Sequence, residues 1–464
     1  MENNKSKYDL TIGDILPKLI KMSLPIMGTA FMMMAYNLTD MFWLGRLSSG
    51  SVAAAGTSGM YIWLSMAFIF IGRMGAEIGV SQSMGKGDTP QAKKYAQNAL
   101  FVSLILGVAY GLTMAIFRSP LIAFFNINDA TVVREAEEYL LVVAISMPFI
   151  FVQQVITGIF NGYGNTKLLF YINCTSLLFN IIISPIFIFD ELILFNTTII
   201  PNGFGLGIIG AAASTVIAQV LNLMLKLWAI TLYKNRPFTK FRFIFKPSLI
   251  HIKQIFAWGI PVAIESMLFT FLFMIVSRLV AEYGVSAIAA QRVGTQVEQI
   301  SWMMAGGFAT AVTAFIGQNF GAKKWARLHA GYRLSMLVMI IYGILVSIIL
   351  FVFANQLISI FLDNPYEIQM GGNYLRIFAF TQILTCMEGV AVGAFRGQGL
   401  TIKPTIASVS GNILRVIFAY TLSTALGLDG IWLGMALSVV LRAGWLIIWY
   451  HIYAKKLPKN DTTL

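Results

Sequence analysis

About twelve apolar runs, each able to cross a hydrocarbon core of about 30 Å as a helix of roughly 20 residues, follow one another along this chain. They lie at approximately 16–44, 53–82, 97–117, 136–161, 168–190, 206–232, 253–282, 287–318, 331–354, 371–395, 404–426 and 430–454. Such a chain is solvated mainly by lipid. Lipid offers no partner to backbone N–H and C=O groups, so each run has to satisfy its own, which runs of this length do as helices. Composition agrees: 57% of residues are hydrophobic and 11% charged, with a mean hydropathy of +0.75. The expected fold class is an all-α membrane protein.

The second half repeats the first at an offset of about 235 to 236 residues. Pro25 falls opposite Pro261, Gln82 and Gly85 opposite Gln318 and Gly321, Gly162 and Gly164 opposite Gly397 and Gly399, and Lys167 opposite Lys403. Anchors held in order over both halves indicate an old duplication. Six spans per copy is an even number, so both copies start on the same side of the membrane. Two six-helix lobes related by a pseudo-two-fold axis along the membrane normal are therefore expected. The lobes are placed at 1–232 and 253–464, joined by a cytoplasmic linker at 233–252.

The 33 Lys and Arg against 20 Asp and Glu would suggest nucleic-acid binding in a soluble protein. Here the bases sit in short loops and alternate by side, the pattern of membrane orientation, so no nucleic-acid partner is expected. One set of loops carries Lys5, Lys7, Lys18 and Lys21, then Lys86, Lys93 and Lys94, then Lys234, Arg236, Lys240, Arg242 and Lys246, then Lys323, Lys324 and Arg327, and finally Lys455, Lys456 and Lys459. Opposite loops carry Asp129, Glu135, Glu137 and Glu138, then Asp190 and Glu191, then Asp363 and Glu367, then Asp429. Both termini are expected in the cytoplasm, with the protein in the cell (inner) membrane. The first apolar run contains Pro25, Asn37 and Asp40 without a small-residue cleavage pattern, so its retention is expected.

Cys174 and Cys386 occupy different places in the two halves, and His251, His329 and His451 are dispersed. No zinc, haem or nucleophile–His–acid spacing is present, and no phosphate-binding Gly-x-x-x-x-Gly-Lys loop. Neither an enzyme nor a cofactor is expected, and ATP is not the expected direct energy source.

Ionisable groups inside the spans need a reason, because a charge at the bilayer centre costs about 2.5–3.5 kcal/mol on insertion scales. Asp40 sits in Met33-Met34-Ala35-Tyr36-Asn37-Leu38-Thr39-Asp40-Met41-Phe42-Trp43-Leu44, with Tyr36 one turn away on its face. Such a carboxyl group is suited to exchanging a proton near neutral pH; a helix-end residue wetted at the outer surface, with Gly45-Arg46 following closely, is the alternative. Glu265 follows Pro261 by one turn; Glu298, Glu388, Arg278, Arg396 and Arg415 are further charges of the second lobe. For Glu388 and Arg415 an ion pair between neighbouring helices and a place in an ion pathway are the two readings. Prolines 25, 148, 185 and 261 are expected to interrupt spans and free backbone carbonyls near a pathway.

Taken together, particular residues carry a family resemblance. They are Leu24-Pro25 and Asp40 in the first span, Gln82-Ser83-Met84-Gly85 and Gly317-Gln318-Asn319-Phe320-Gly321-Ala322 closing the second and eighth, and Asn161-Gly162-Tyr163-Gly164-Asn165 and Arg396-Gly397-Gln398-Gly399 after the fourth and tenth. The fifth span adds Asn180-Ile181-Ile182-Ile183-Ser184-Pro185-Ile186-Phe187-Ile188-Phe189. Over essentially its whole length the chain resembles the multidrug and toxic compound extrusion transporters, which export organic cations and drugs in exchange for Na⁺ or H⁺. The resemblance implies a V-shaped pair of six-helix lobes around a cavity that opens alternately inward and outward. It implies a cation site in the first lobe built on Asp40 and Asn180, with Tyr36 and Asn161 nearby, and a kink or hinge at Pro25. Where many relatives have a second Asp, this chain has Ser184. One carboxylate fewer leans the expectation toward H⁺, although Asp40, Asn180 and Ser184 oxygens could hold Na⁺. Other relatives place a Na⁺-binding Glu in the seventh helix, which makes Glu265 a candidate.

The expected partners are thus small-molecule organic cations or drugs and the lipid bilayer, with the chain a monomer. A lipid-linked oligosaccharide flippase of the same superfamily, an uncoupled solute channel and a membrane-embedded enzyme are the alternatives. The 23 Met and 35 Phe suit adaptable apolar binding as well as lipid contact and core packing.

Overall fold

A computed structural model of the chain describes residues 8–194, 197–200 and 202–461. Lys5 and Lys7 of the first basic loop lie outside the described residues. The protein is helical, apart from an antiparallel hairpin of β1 (Leu192–Leu194) and β2 (Thr197–Ile200).

The first half contains α1 (Ile15–Leu47), α2 (Ser49–Gly85), α3 (Thr89–Ile116), a short α4 (Arg118–Ala123), α5 (Ala130–Tyr163), α6 (Thr166–Ile188) and α7 (Gly207–Thr231). The second contains α8 (Leu249–Ala281), α9 (Val285–Gly321), α10 (Trp325–Val352), a short α11 (Ala354–Ser359), α12 (Pro365–Ala379), α13 (Gln382–Gly397) and α14 (Ile402–Ala454). Ten of these helices are long and apolar enough to cross a membrane, and α12 with α13 make an eleventh span broken by a 51° bend. The 53-residue α14 is two helices joined across Gly427, whose φ of 61° and ψ of −137° leave the helical region. Divided there, the described residues give the twelve spans that the apolar runs imply.

The breaks do not fall where the prolines do. Pro25, Pro148, Pro185 and Pro261 all lie inside continuous helices. A helix interior can absorb the lost N–H by bending, whereas the real interruptions lie at Phe380-Thr381 and Gly427. At the first, Thr381 turns its N–H and its hydroxyl back to the Phe378 carbonyl, at 3.0 and 2.8 Å.

The duplication is visible in local geometry. Phe117 precedes α4 with φ −98° and ψ 19°, and Phe353 precedes α11 with φ −99° and ψ 19°. Gly164 and Gly399 both adopt positive φ, 99° and 79°, a conformation that side chains disfavour. The matched Gly85 and Gly321 close a reciprocal helix crossing. A Cβ on Gly85 would strike the Gln318 carbonyl oxygen, and one on Gly321 the Gln82 carbonyl oxygen. The repeated Gln-x-x-Gly is thus a requirement for close backbone approach.

Two compact units emerge, drawn differently from the lobes expected at 1–232 and 253–464. One comprises the described residues up to Met27, Ser81–Asp88 and those from Ile260 onward; the other comprises Gly28–Val80 and Thr89–Gly259. The divisions inside α1 and α8 fall within two residues of Pro25 and Pro261. Fastening of the segments that lead into these helices explains the difference. In the first unit, Leu10 N–H donates to Gln318 Oε1 at 2.9 Å, its carbonyl accepts from Arg327 Nε at 3.0 Å, and the Thr11 carbonyl accepts from Lys324 at 2.8 Å. In the second, residues 240–248 are held by α3: Lys93 and Gln97 donate to the Lys240 and Arg242 carbonyls, both at 2.6 Å, and Ser248 N–H donates to Asn98 at 2.8 Å. The stretch at 233–252 therefore belongs to a unit.

The first unit is built on Phe315, Phe395 and Tyr450 in one core and Tyr374, Phe378 and Trp432 in another. The second unit packs Leu140, Met147 and Phe151 against Leu44, Ile69 and Ala212.

Candidate functional site

The candidate site lies in the second unit, where α1, α5, α6 and α7 supply its side chains. α6 packs along α7. On α7, Thr215, Gln219, Asn222 and Lys226 follow one another at intervals of four, three and four residues, which puts them on one helix face. Each is used. Thr215 Oγ1 donates to Asp40 Oδ2 at 3.4 Å, and Gln219 bonds Gln153 of α5. Asn222 donates to Asn173 and Ser176 of α6, both at 3.0 Å, and Lys226 donates to the Thr157 hydroxyl of α5 at 3.1 Å.

Asp40 is half-buried on α1. Its electrostatic neighbours are Tyr36 one turn earlier and Tyr139 of α5. The buried Tyr36 hydroxyl faces Thr215 and Gln219 without closing a hydrogen bond of normal geometry. None of the ion pairs Arg134–Glu138, Arg396–Glu265 and Arg442–Glu388 involves Asp40. The neighbours of the carboxyl group are therefore hydroxyls, which can solvate either a bound cation or a proton without neutralising it permanently.

Asn180 and Ser184 stand one turn apart on α6, both fully buried. Ser184 Oγ meets Ser214 Oγ at 3.0 Å, so α7 presents neighbouring residues to Ser184 and to Asp40. Both polar atoms of the Asn180 amide are buried without a hydrogen-bond partner among the described residues. Burying an unmet amide is costly, so this side chain holds ligand capacity in reserve. Asn161 stands apart, at the end of α5. Tyr139, an electrostatic neighbour of Asp40, precedes it by 22 residues, about 33 Å of helix rise.

Glu265 belongs to the other unit. Its carboxylate takes Arg396 of α13 at 3.0 Å and the Thr405 hydroxyl of α14 at 3.4 Å. Glu388 also has a partner, but not the expected Arg415: Arg442, also on α14, pairs with it at 2.7 Å. Arg415 instead lies over the Phe269 ring, 5.5 Å from its centroid. Glu298 accepts from the Tyr374 hydroxyl at 2.9 Å and from Gln382 at 3.4 Å.

Sequence reasoning missed Thr215, Gln219, Gln153 and Tyr139. The polar stripe on α7 was the available signal, since polar side chains at helical spacing within an apolar run face protein more readily than lipid.

The fold and site together define a polytopic membrane protein with a duplicated six-helix plan and an unpaired carboxylate in its first helix. The chain belongs to the MatE family, whose model matches residues 25–186 and again 261–421. The two matches begin at Pro25 and Pro261, which reproduces the internal repeat. Among relatives, the chain is 25% identical over 436 residues to a probable multidrug resistance protein NorM of Thermotoga maritima, covering 93% of this chain and 91% of that one. It is 26% identical over 458 residues to the probable multidrug resistance protein YpnP of Bacillus subtilis, covering 98% and 99%. The crystal structure of a MATE transporter in a bent conformation shares the fold, with a TM-score of 0.89, 22% identity and coverage of 98% of this chain and 99% of that one.

Proposed function

We propose that the protein is a secondary active multidrug efflux transporter that exports organic cations by alternating access, in exchange for H⁺ or Na⁺. The observation that carries this reading is Asp40: a carboxylate in the first membrane helix, hydrogen-bonded by Thr215 and with Tyr36 and Tyr139 as electrostatic neighbours, with no basic partner among the described residues. The multidrug resistance names of relatives that match along nearly the whole chain support the substrate class.

In this mechanism ionised Asp40 holds a cationic drug or the coupling cation. Protonation, or Na⁺ binding by Asp40 and Asn180 oxygens, releases the drug and resets α1, with Pro25 as the hinge. Ser184 in place of a second carboxylate favours H⁺. Exchange of one inward ion for one exported monovalent cation moves no net charge, so the membrane potential cancels and the ion's own concentration ratio drives export: each tenfold ratio supplies about 1.4 kcal/mol and sustains about a tenfold substrate gradient. The Arg396 ion pair makes Glu265 a scaffold carboxylate in this reading. The protein works as a monomer in the cell membrane with both termini in the cytoplasm.

The test is ethidium export in proteoliposomes under an imposed proton or Na⁺ gradient. The wild type concentrates ethidium uphill on one of the two gradients, whereas Asp40→Asn does not. Uphill export by Asp40→Asn at the wild-type rate overturns the proposal, and flux that only runs downhill makes the protein a channel.

A further inference from the structure

The segment between α7 and α8 is fastened by its main chain and leaves its charges unspent. Between Tyr233 and Lys253 the sequence holds Lys234, Arg236, Lys240, Arg242, Lys246 and Lys253 and not one Asp or Glu. Lys93 and Gln97 of α3 bond the carbonyls of Lys240 and Arg242, not their side chains. Phe238 is buried to 1% exposure and stacks on Phe241, whose ring meets Phe243, while Phe245 meets Phe101 edge-on at 6.3 Å. The strap is thus ordered by carbonyls and aromatic rings. Among the described residues, the side chains of Lys240, Arg242 and Lys246 make no ion pair or hydrogen bond, and all three are exposed.

Large apolar side chains stand out between and beside these charges. Ile244 is 93% exposed, Leu249 73%, Ile250 80% and Phe243 49%. Ile244 falls between Arg242 and Lys246 along the strap, and all three are exposed. A water-facing loop gains nothing from exposed Ile and Leu. A surface that offers negative charge above hydrocarbon accommodates both kinds of side chain, the bases in the headgroups and the apolar groups below them. The strap also runs from the end of one membrane helix to the start of the next, which keeps it at that boundary.

We propose that residues 240–250 form a binding site for anionic phospholipid, with Lys240, Arg242 and Lys246 on the headgroup phosphates and Ile244, Leu249 and Ile250 in the acyl boundary. Because α3 already orders the backbone, lipid binding pays little further entropy and holds the entry to α8 against the membrane. This proposal is independent of the substrate and of the coupling ion.

The test is native mass spectrometry of the full chain from micelles holding equal phosphatidylglycerol and phosphatidylcholine. The wild type retains phosphatidylglycerol in preference, and K240S/R242S/K246S lowers that retention about tenfold, since each base near an anionic surface contributes appreciably. K455S/K456S/K459S, at another basic segment, leaves it unchanged. Should the strap variant fail to fold, a salt titration of the wild type decides, because preference for phosphatidylglycerol falls as ionic strength rises. Equal retention of the two lipids by the wild type, a strap variant that keeps the preference, or a preference insensitive to salt overturns the proposal.

Discussion

The two halves of this protein share a scaffold, but Asp40 of the first and Glu265 and Glu388 of the second sit in opposite surroundings. In the first half, Asp40 is met by a hydroxyl and by neutral polar neighbours. In the second, Glu265 and Glu388 are each met by a guanidinium, at 3.0 and 2.7 Å. A carboxylate with a permanent cationic partner is fixed, since separating the pair leaves an uncompensated charge in a poor solvent. One with neutral partners can change its occupant. Duplication supplied matched helices, turns and glycines; charge pairing differs from acid to acid, and Glu298 of the second half, met by Tyr374 and Gln382, has neutral hydrogen-bond partners as Asp40 does.

The largest effect separating the halves is on stability. Glu388→Leu leaves Arg442 buried and alone and lowers stability by about 3–5 kcal/mol, whereas E388L/R442L together return close to the wild type. Thermal melting in detergent checks both. Asp40→Asn melts near the wild-type temperature, because no cation is orphaned. If Asp40→Asn were as damaging as Glu388→Leu, the contrast would disappear.

Next come the matched glycines. Gly85→Ala and Gly321→Ala each force a methyl group against a backbone oxygen of the facing helix and cost about 1–3 kcal/mol. The two losses should be similar by melting, because the crossing is reciprocal. Markedly unequal losses would show that the copies have diverged in packing as well as in charge.

Thr215→Val removes the hydroxyl that donates to Asp40 and is smaller still in stability, about 0.5–1.5 kcal/mol. Its readout is transport: the ion concentration for half-maximal ethidium export moves by about three- to tenfold, in contrast with Ser301→Ala near Glu298, which leaves it unchanged.

The smallest effect is at a pair of helix caps. Asp129 and Asn364, 235 residues apart, cap α5 and α12 by accepting backbone N–H groups. Hydrogen bonds from the Thr131 hydroxyl and from the Thr131 and Val132 N–H groups hold the Asp129 carboxyl below its ordinary range. A depressed carboxyl stabilises the fold above its unfolded pKa, and that contribution fades as pH falls through the folded value. Asp129→Asn should flatten the acid side of the melting temperature against pH slightly, making the first cap behave like the second.

Spans and duplication were legible because lipid imposes length and apolarity on every helix, and because Pro, Gly and Gln recur where backbones turn or touch. The 51° bend at Phe380-Thr381 carried no such mark. Prolines misled, since Pro25, Pro148, Pro185 and Pro261 all lie inside helices that continue past them. Glu388 shows why charge pairing is harder to read: Arg415 and Arg442 lie on the same final helical stretch, and only the turn at Gly427 and the packing of α13 decide which one faces the acid. Asp40 was legible as an isolated charge. Its partner Thr215 was not singled out because a threonine in an apolar helix is commonplace, and its meaning comes from the stripe it heads. Asn161, placed near Asp40 by resemblance, lies far down α5, because resemblance carries residue identity along the chain without fixing height along a helix.

The most direct measurement is the ion moved per ethidium exported, followed with a pH-sensitive dye and with radioactive Na⁺ in parallel proteoliposomes. The wild type and E265Q/R396Q are predicted to move one of the two ions with each ethidium, and Asp40→Asn to move neither. Coupled ion flux that survives in Asp40→Asn and vanishes in E265Q/R396Q would place the exchange site in the second half and contradict the account.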